Sequence, residues 1–177
     1  MGGQHILAVD PGGTSGLAWC PVEVVEGSLD ERFGNVVETG DIVGSVPEQA
    51  WKISKGIFRL DVVALACESS DHFLLRRREG TLRKDSLIPI KMEGALGAVC
   101  YAVNQQRGTY KHGLSFTTQT PANAKTTYTD KRLKLVYGVN LPGTKLRHQR
   151  DAVRHLLLLL TRMRASPQFK AAVLGEQ

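Results

Sequence analysis

No apolar run in this 177-residue chain is long enough to cross a bilayer. Even Leu156–Leu160 falls far short of the roughly 18 residues a span requires. The N-terminus lacks a basic segment followed by an apolar signal core, which predicts a cytoplasmic protein with no membrane role. Cysteine is scarce. Cys20, Cys67 and Cys100 are odd in number, widely spaced and without a CxxC pair, so neither a disulfide framework nor a thiolate zinc site fits, and reduced core thiols are expected. Repeats, linkers and low-complexity segments are also missing, which predicts one domain over residues 1–164 and a patternless tail over 165–177. Negative charge is scarce in one part of the chain. Residues 1–70 balance at −6 and residues 71–177 at +12, for +6 in all. Such asymmetry fits one side of the molecule facing a polyanion, or a solubilising surface.

What is present is organised around His5–Leu17 (HILAVDPGGTSGL). Ile6, Leu7, Ala8 and Val9 run into Asp10, and Pro11-Gly12-Gly13 turn the chain, which predicts a strand buried on both faces. A carboxylate at the end of a buried strand costs several kcal/mol in desolvation unless a partner compensates. Gly16–Cys20 and Phe33–Gly40 read as second and third strands of an antiparallel meander. Ser45-Val-Pro-Glu48 has the form of a capping box, and Ala50, Ile53 and Ile57 recur at helical spacing to Arg59. Asp61–Glu68 (DVVALACE) is again a continuous apolar run ending in an acid. After a helix, it reads as a right-handed crossover to a strand parallel to the first. The two carboxylates then sit side by side, about 4.8 Å being the strand spacing, and repel unless a divalent metal joins them. The plainer alternative is that one caps a loop and the other is solvated.

Ser69–Lys84 is polar and basic, with Phe73 among cations Arg76, Arg77, Arg78, Arg83 and Lys84. These suit phosphate contacts and stacking on a splayed base, or a solvated charge run with Phe73 in the core. A helix over Pro89–Gln106 carries Gly94, Ala95, Gly97 and Ala98, a smooth face for sheet packing or for a second copy. Gly113–Gln119 reads as a fifth strand, followed by short helices at Thr120–Lys125 and Asp130–Tyr137. The last main helix, about Leu146–Arg164, bears His148 and Asp151 one turn apart, flanked by Arg147, Arg150 and Arg154. Its apolar second half predicts burial against the sheet, which brings His148 and Asp151 to the edge where the strand acids end. An isolated HxxD is weak; joined to two strand-end acids it carries weight. Asp10, Glu68, His148 and Asp151 are therefore the candidate catalytic and metal-binding residues. Oxygen ligands with one imidazole suit two Mg²⁺ or Mn²⁺ ions per site, able to activate a water and stabilise a leaving oxygen at phosphorus.

The order of these pieces, with DPGGTSGLAW, ACES and HQRDAVRHLLL as its specific parts, resembles the RuvC family of Holliday-junction resolvases within the RNase H-like nucleases. The resemblance covers nearly all of residues 5–162. It implies an α/β, RNase H-like fold, with a five-stranded mixed sheet built of a three-strand antiparallel meander plus parallel strands, flanked by helices. It also implies a homodimer that resolves four-way DNA junctions, with Met92–Tyr101 as the dimer helix, in a bacterial or phage-infected cell. Asp10, Glu68 and Asp151 match the family's acidic metal ligands, and His148 a position filled by Asp or His. Phe73 matches a DNA-stacking aromatic, and Lys125 a DNA-contacting lysine; Arg147 and Arg150 are further DNA-binding candidates. Thr126–Leu135 stands where the family has a Gly-rich link.

Three other readings compete. The same fold could cut flaps, forks or structured RNA. The residues Asp10–Gly16 also resemble the first phosphate loop of sugar kinases and actin-like ATPases, but the chain is too short for the two domains these need. A non-catalytic junction binder would have no use for four ligands.

Overall fold

The computed structural model describes residues 3–23, 37–70, 87–108 and 113–175. Its strands are β1 (His5–Asp10), β2 (Thr14–Pro21), β3 (Glu38–Val43), β4 (Val62–Glu68) and β5 (Ser115–Gln119). The helices are α1 (Val46–Arg59), α2 (Leu87–Arg107), α3 (Pro121–Thr127), α4 (Asp130–Tyr137), α5 (Arg147–Ala165) and α6 (Pro167–Leu174). One sheet has the order β3-β2-β1-β4-β5. β1, β2 and β3 form the antiparallel meander, while β4 is parallel to both β1 and β5. Both expectations for the sheet are met.

The two apolar runs form central strands because every residue must be buried. Ile6–Asp10 and all of Val62–Glu68 are buried. Leu7, Val9, Leu65 and Cys67 alternate into a core under α1 and α2, joined by Val62 from before the register shift opposite His5 and Ile6. Ile6, Ala8, Val63, Ala64 and Ala66 face α5, whose Ala152, Val153, Leu156, Leu157, Leu159 and Leu160 fill the second core. The helix-sheet-helix sandwich therefore buries its parallel strands on both faces. At the start of α1, the Glu48 carboxylate accepts from the Ser45 N–H at 2.7 Å, as the capping box predicts, and also from the Ser45 hydroxyl at 2.8 Å. Among the described residues no helix is long and apolar enough to cross a membrane. The three cysteines are buried and unpaired.

Two expectations need correction. Of the third strand expected over Phe33–Gly40, residues 33–36 lie outside the described residues; the strand described is Glu38–Val43, which runs past Gly40 because β2 begins already at Thr14 and pairs it with Val43. The segment after Ala165 is not patternless. Pro167 opens α6, the Ser166 hydroxyl accepts from the Phe169 N–H at 3.2 Å, and Gly175 ends the helix at a positive φ. Its Val173 and Leu174 are buried in the α5 core, with Phe169 packed beside them. Only one end of so short a helix is apolar, which is why no periodicity shows.

Leu174→Ala is expected to lower stability by about 2–5 kcal/mol, the usual range for truncating a buried leucine. Urea denaturation checks this, and an unchanged midpoint would mean α6 is detachable.

Candidate metal centre

β1 and β4 end together. Val9 lies opposite Cys67 in the parallel ladder, so Asp10 and Glu68 follow at one edge of the sheet. Both carboxylates are buried. The turn after Asp10 is held from α1, where the Gln49 side-chain N–H groups reach the carbonyls of Gly12 and Gly13 at 3.2 Å and Gly44 at 2.8 Å. On the far side, the chain after Glu68 is tied by Ser69 N–H to Gln119 O at 2.7 Å. Ser70 bonds Glu93 of α2 through its N–H at 2.8 Å and its hydroxyl at 2.5 Å.

α5 reaches this edge because β2 has a glycine beneath it. A Cβ on Gly16 would lie 2.0 Å from the His148 carbonyl carbon and 2.1 Å from its oxygen, so no larger residue fits under the first turn. Gln149 then clamps the same turn to β3, accepting from Thr39 Oγ1 at 2.9 Å and donating to Asp41 Oδ2 at 2.7 Å. This docking places His148 Nδ1 2.6 Å from Asp10 Oδ2.

Asp10, Glu68 and His155 each offer a ligand atom, and the three atoms lie within 4.8 Å of one another. His155 was not singled out by the sequence reading. It extends the HxxD face by one turn, to His148-x-x-Asp151-x-x-x-His155, and that spacing is the signal that could have found it. Its Nε2 is 3.1 Å from Glu68 Oε2 and its Nδ1 3.1 Å from Gln119 Oε1.

Asp151 is buried on the same face but does not join this group. One carboxylate oxygen pairs with Arg154; the other is 3.2 Å from Lys125 and 3.8 Å from Arg147. Arg154 is itself buried, bonding Tyr128 O at 2.8 Å and pairing with Asp130, so it ties α3 and α4 to α5. Arg150 is also committed, to the carbonyls of Leu141 at 2.8 Å and Gly143 at 3.3 Å and to Asp130 at 3.1 Å. Lys125 and Arg147 remain 40% and 64% exposed. Phe73, Arg76, Arg77, Arg78, Arg83 and Lys84 lie outside the described residues.

Crowding of acids in a dry corner governs the electrostatics. Burial, with repulsion from Glu68 and Asp151, pushes Asp10 up to about 6, although the His148 bond works the other way. That bond holds the His148 imidazole above its ordinary value. Burial also disfavours the Glu68 carboxylate, but the hydrogen bond and attraction of His155, with help from Asp10 and Lys125, leave it below the usual range. Oxygen donors with imidazole nitrogens, buried and short of positive charge, fit a hard or borderline divalent cation.

No family model matches the sequence, and no curated protein matches it. The fold is nevertheless shared with solved structures. Thermus thermophilus RuvC in complex with a Holliday junction substrate aligns with a TM-score of 0.56 at 18% identity, covering 91% of this chain and 96% of that one. A structure of Thermus thermophilus RuvC aligns with a TM-score of 0.56 at 16% identity, covering 97% of each chain. The chain thus has a RuvC-like, RNase H-like fold.

Between about pH 4 and 6 the folded chain keeps a proton on Asp10 that the unfolded chain has released. Stability of the metal-free protein therefore falls as pH rises through that window. Asp10→Asn is expected to remove the fall and to be the more stable protein at pH 7.5 without metal, by at most about 3 kcal/mol. Thermal denaturation of both proteins across pH 4–8 in chelator checks this. A less stable Asn variant at pH 7.5 would mean that the ionised Asp10 is favourable where it stands.

Proposed function

We propose that this chain is a divalent-metal-dependent endonuclease that resolves four-way DNA junctions by paired phosphodiester hydrolysis. The observation that carries the reading is the meeting of Asp10 and Glu68 at one buried strand edge, capped by His148 from α5. It stands on a fold shared with a RuvC bound to a Holliday junction substrate.

Asp10, Glu68, His148 and Asp151 are the residues that would hold Mg²⁺ or Mn²⁺, two ions to a site. When bound, such ions activate water and stabilise a leaving oxygen at phosphorus. The chain's own groups do the rest. His148 fixes the rotamer of Asp10 through its 2.6 Å bond. Lys125 and Arg147 flank the corner with exposed cationic ends and are assigned to the DNA backbone. Arg76, Arg77, Arg78, Arg83 and Lys84 follow Glu68 directly in sequence and are assigned to further phosphates, with Phe73 to a splayed base. Arg150 supports the loop before α5 and reaches DNA only through that loop.

Two symmetric cuts need two sites, so a homodimer belongs to the reading. Within Met92–Tyr101, Met92, Leu96 and Cys100 are buried in the chain's own core, while Gly94, Ala98 and Tyr101 face outward. Among the described residues a side chain on Gly94 would meet nothing within 4 Å, so their packing does not require a glycine there. That leaves the smooth outer face available to a second copy.

With Mg²⁺ or Mn²⁺, a synthetic four-way junction is expected to receive paired, symmetric nicks while matched duplex is left intact. Asp10→Asn and Glu68→Gln are expected to abolish cleavage but retain junction binding. Equal or better cutting of flaps, forks or structured RNA would overturn the substrate assignment, and loss of binding in both variants would make the acids structural. Lys125→Ala and Arg147→Ala should each weaken junction binding and reduce the slope of log affinity against log salt by about one. An unchanged slope in filter-binding titrations would remove that residue from the DNA interface.

A further inference from the structure

His155 is a fully buried imidazole placed just before the apolar half of α5, where an unsatisfied ring nitrogen would be costly. Both nitrogens are engaged, and by the ends of two neighbouring strands. Glu68 and Gln119 are paired across the β4–β5 ladder, and the ring is clamped between their side chains at 3.1 Å on each side. The Gln119 amide presents its oxygen to Nδ1, and its own Nε2 is buried without a hydrogen-bond partner among the described residues. With a hydrogen on Nδ1 donated to Gln119, Nε2 can give its lone pair to a cation beside Glu68 and Asp10; with no cation there, a hydrogen on Nε2 bonds Glu68 instead.

Ligand atoms of Asp10, Glu68 and His155 lie within 4.8 Å of one another, near enough to share one cation. We propose that His155 Nε2 is a metal ligand beside Asp10 and Glu68, and that Gln119 is the positioning residue that fixes its tautomer. The inference rests on the metal-dependent reading above and adds a nitrogen donor to its ligand set. A ligating histidine whose other nitrogen is held by an acceptor is the usual second layer of a metal site, and loss of that acceptor commonly weakens metal binding 10–100-fold.

Electron spin-echo envelope modulation of bound Mn²⁺ tests the assignment without reference to cleavage. The chain has five histidines, His5, His72, His112, His148 and His155. Replacing the first three with Gln and His148 with Asp leaves His155 as the only imidazole. Imidazole nitrogen coupling to Mn²⁺ in that chain is the expected result. Bound Mn²⁺ with no such coupling would reduce His155 to a hydrogen-bond donor for Glu68 and overturn the inference, while the metal-dependent reading stood. A wild-type chain that binds no Mn²⁺ by calorimetry would overturn both. As an independent arm, His148→Asp is compared with His148→Asp/His155→Gln, and only the first should retain the coupling. Gln119→Met should weaken Mn²⁺ binding at least about 10-fold by calorimetry, and an unchanged affinity would end its role as the positioning residue.

Discussion

Two carboxylates forced into one buried corner are the constraint from which the rest of this structure follows. Parallel pairing of β1 and β4 with Val9 opposite Cys67 leaves no freedom in where Asp10 and Glu68 emerge. Strands about 4.8 Å apart cannot separate two charges, and the surrounding core withholds water. The cost shows in Asp10, which burial pushes up to about 6. Positive charge and hydrogen-bond donors have to be brought from elsewhere in the chain, and one helix supplies most of them. That a fold tolerates such a corner is itself informative. An acid held against its own ionisation, as Asp10 is, marks a candidate ligand site.

The helix that answers the constraint is α5, and its docking is geometric before it is electrostatic. Gly16 lets the backbone of His148 rest on β2, with no room for a Cβ. Gln149 locks the turn to β3. The apolar half beyond His155 then anchors the helix through Leu156, Leu157, Leu159 and Leu160. Because rise and twist are fixed, residues at 148, 151 and 155 share the face that meets the sheet edge. The glycine in the strand and the leucines in the helix thus position a site that neither of them touches.

Much of this was legible before any coordinates. Continuous apolar runs ending in Asp10 and Glu68 announce two central strands, and the helix between them implies parallel pairing. The HxxD spacing, followed by leucines, brings His148 to the right edge. Other parts were hidden for identifiable reasons. His155 sits among core residues of α5, where a histidine reads as packing, and only its spacing from Asp151 sets it apart. Gln119 and Gln49 act through amide hydrogen bonds that have no sequence pattern. α6 is short and buries chiefly its last two residues, so no period identifies it. β3 runs on past Gly40 to Val43 because the partner register on β2, not the local sequence, decides which residues pair.

The cations around Asp151 show the same limit from the other side. In sequence, Lys125, Arg147, Arg150 and Arg154 look alike, a basic cluster awaiting a polyanion. In the fold they divide by burial. Arg154 is enclosed and bonded to Asp151, Asp130 and the Tyr128 carbonyl, so its removal would strand a buried carboxylate. Arg150 is largely consumed by the loop before α5. Lys125 and Arg147 share Asp151 while keeping much of their surface in water, where a long side chain can exchange partners at little cost. The buried pair therefore fixes α3 and α4 against α5. That in turn holds the two exposed cations, Lys125 and Arg147, at the mouth of the acidic corner, so the apparent excess of basic residues is in part architecture.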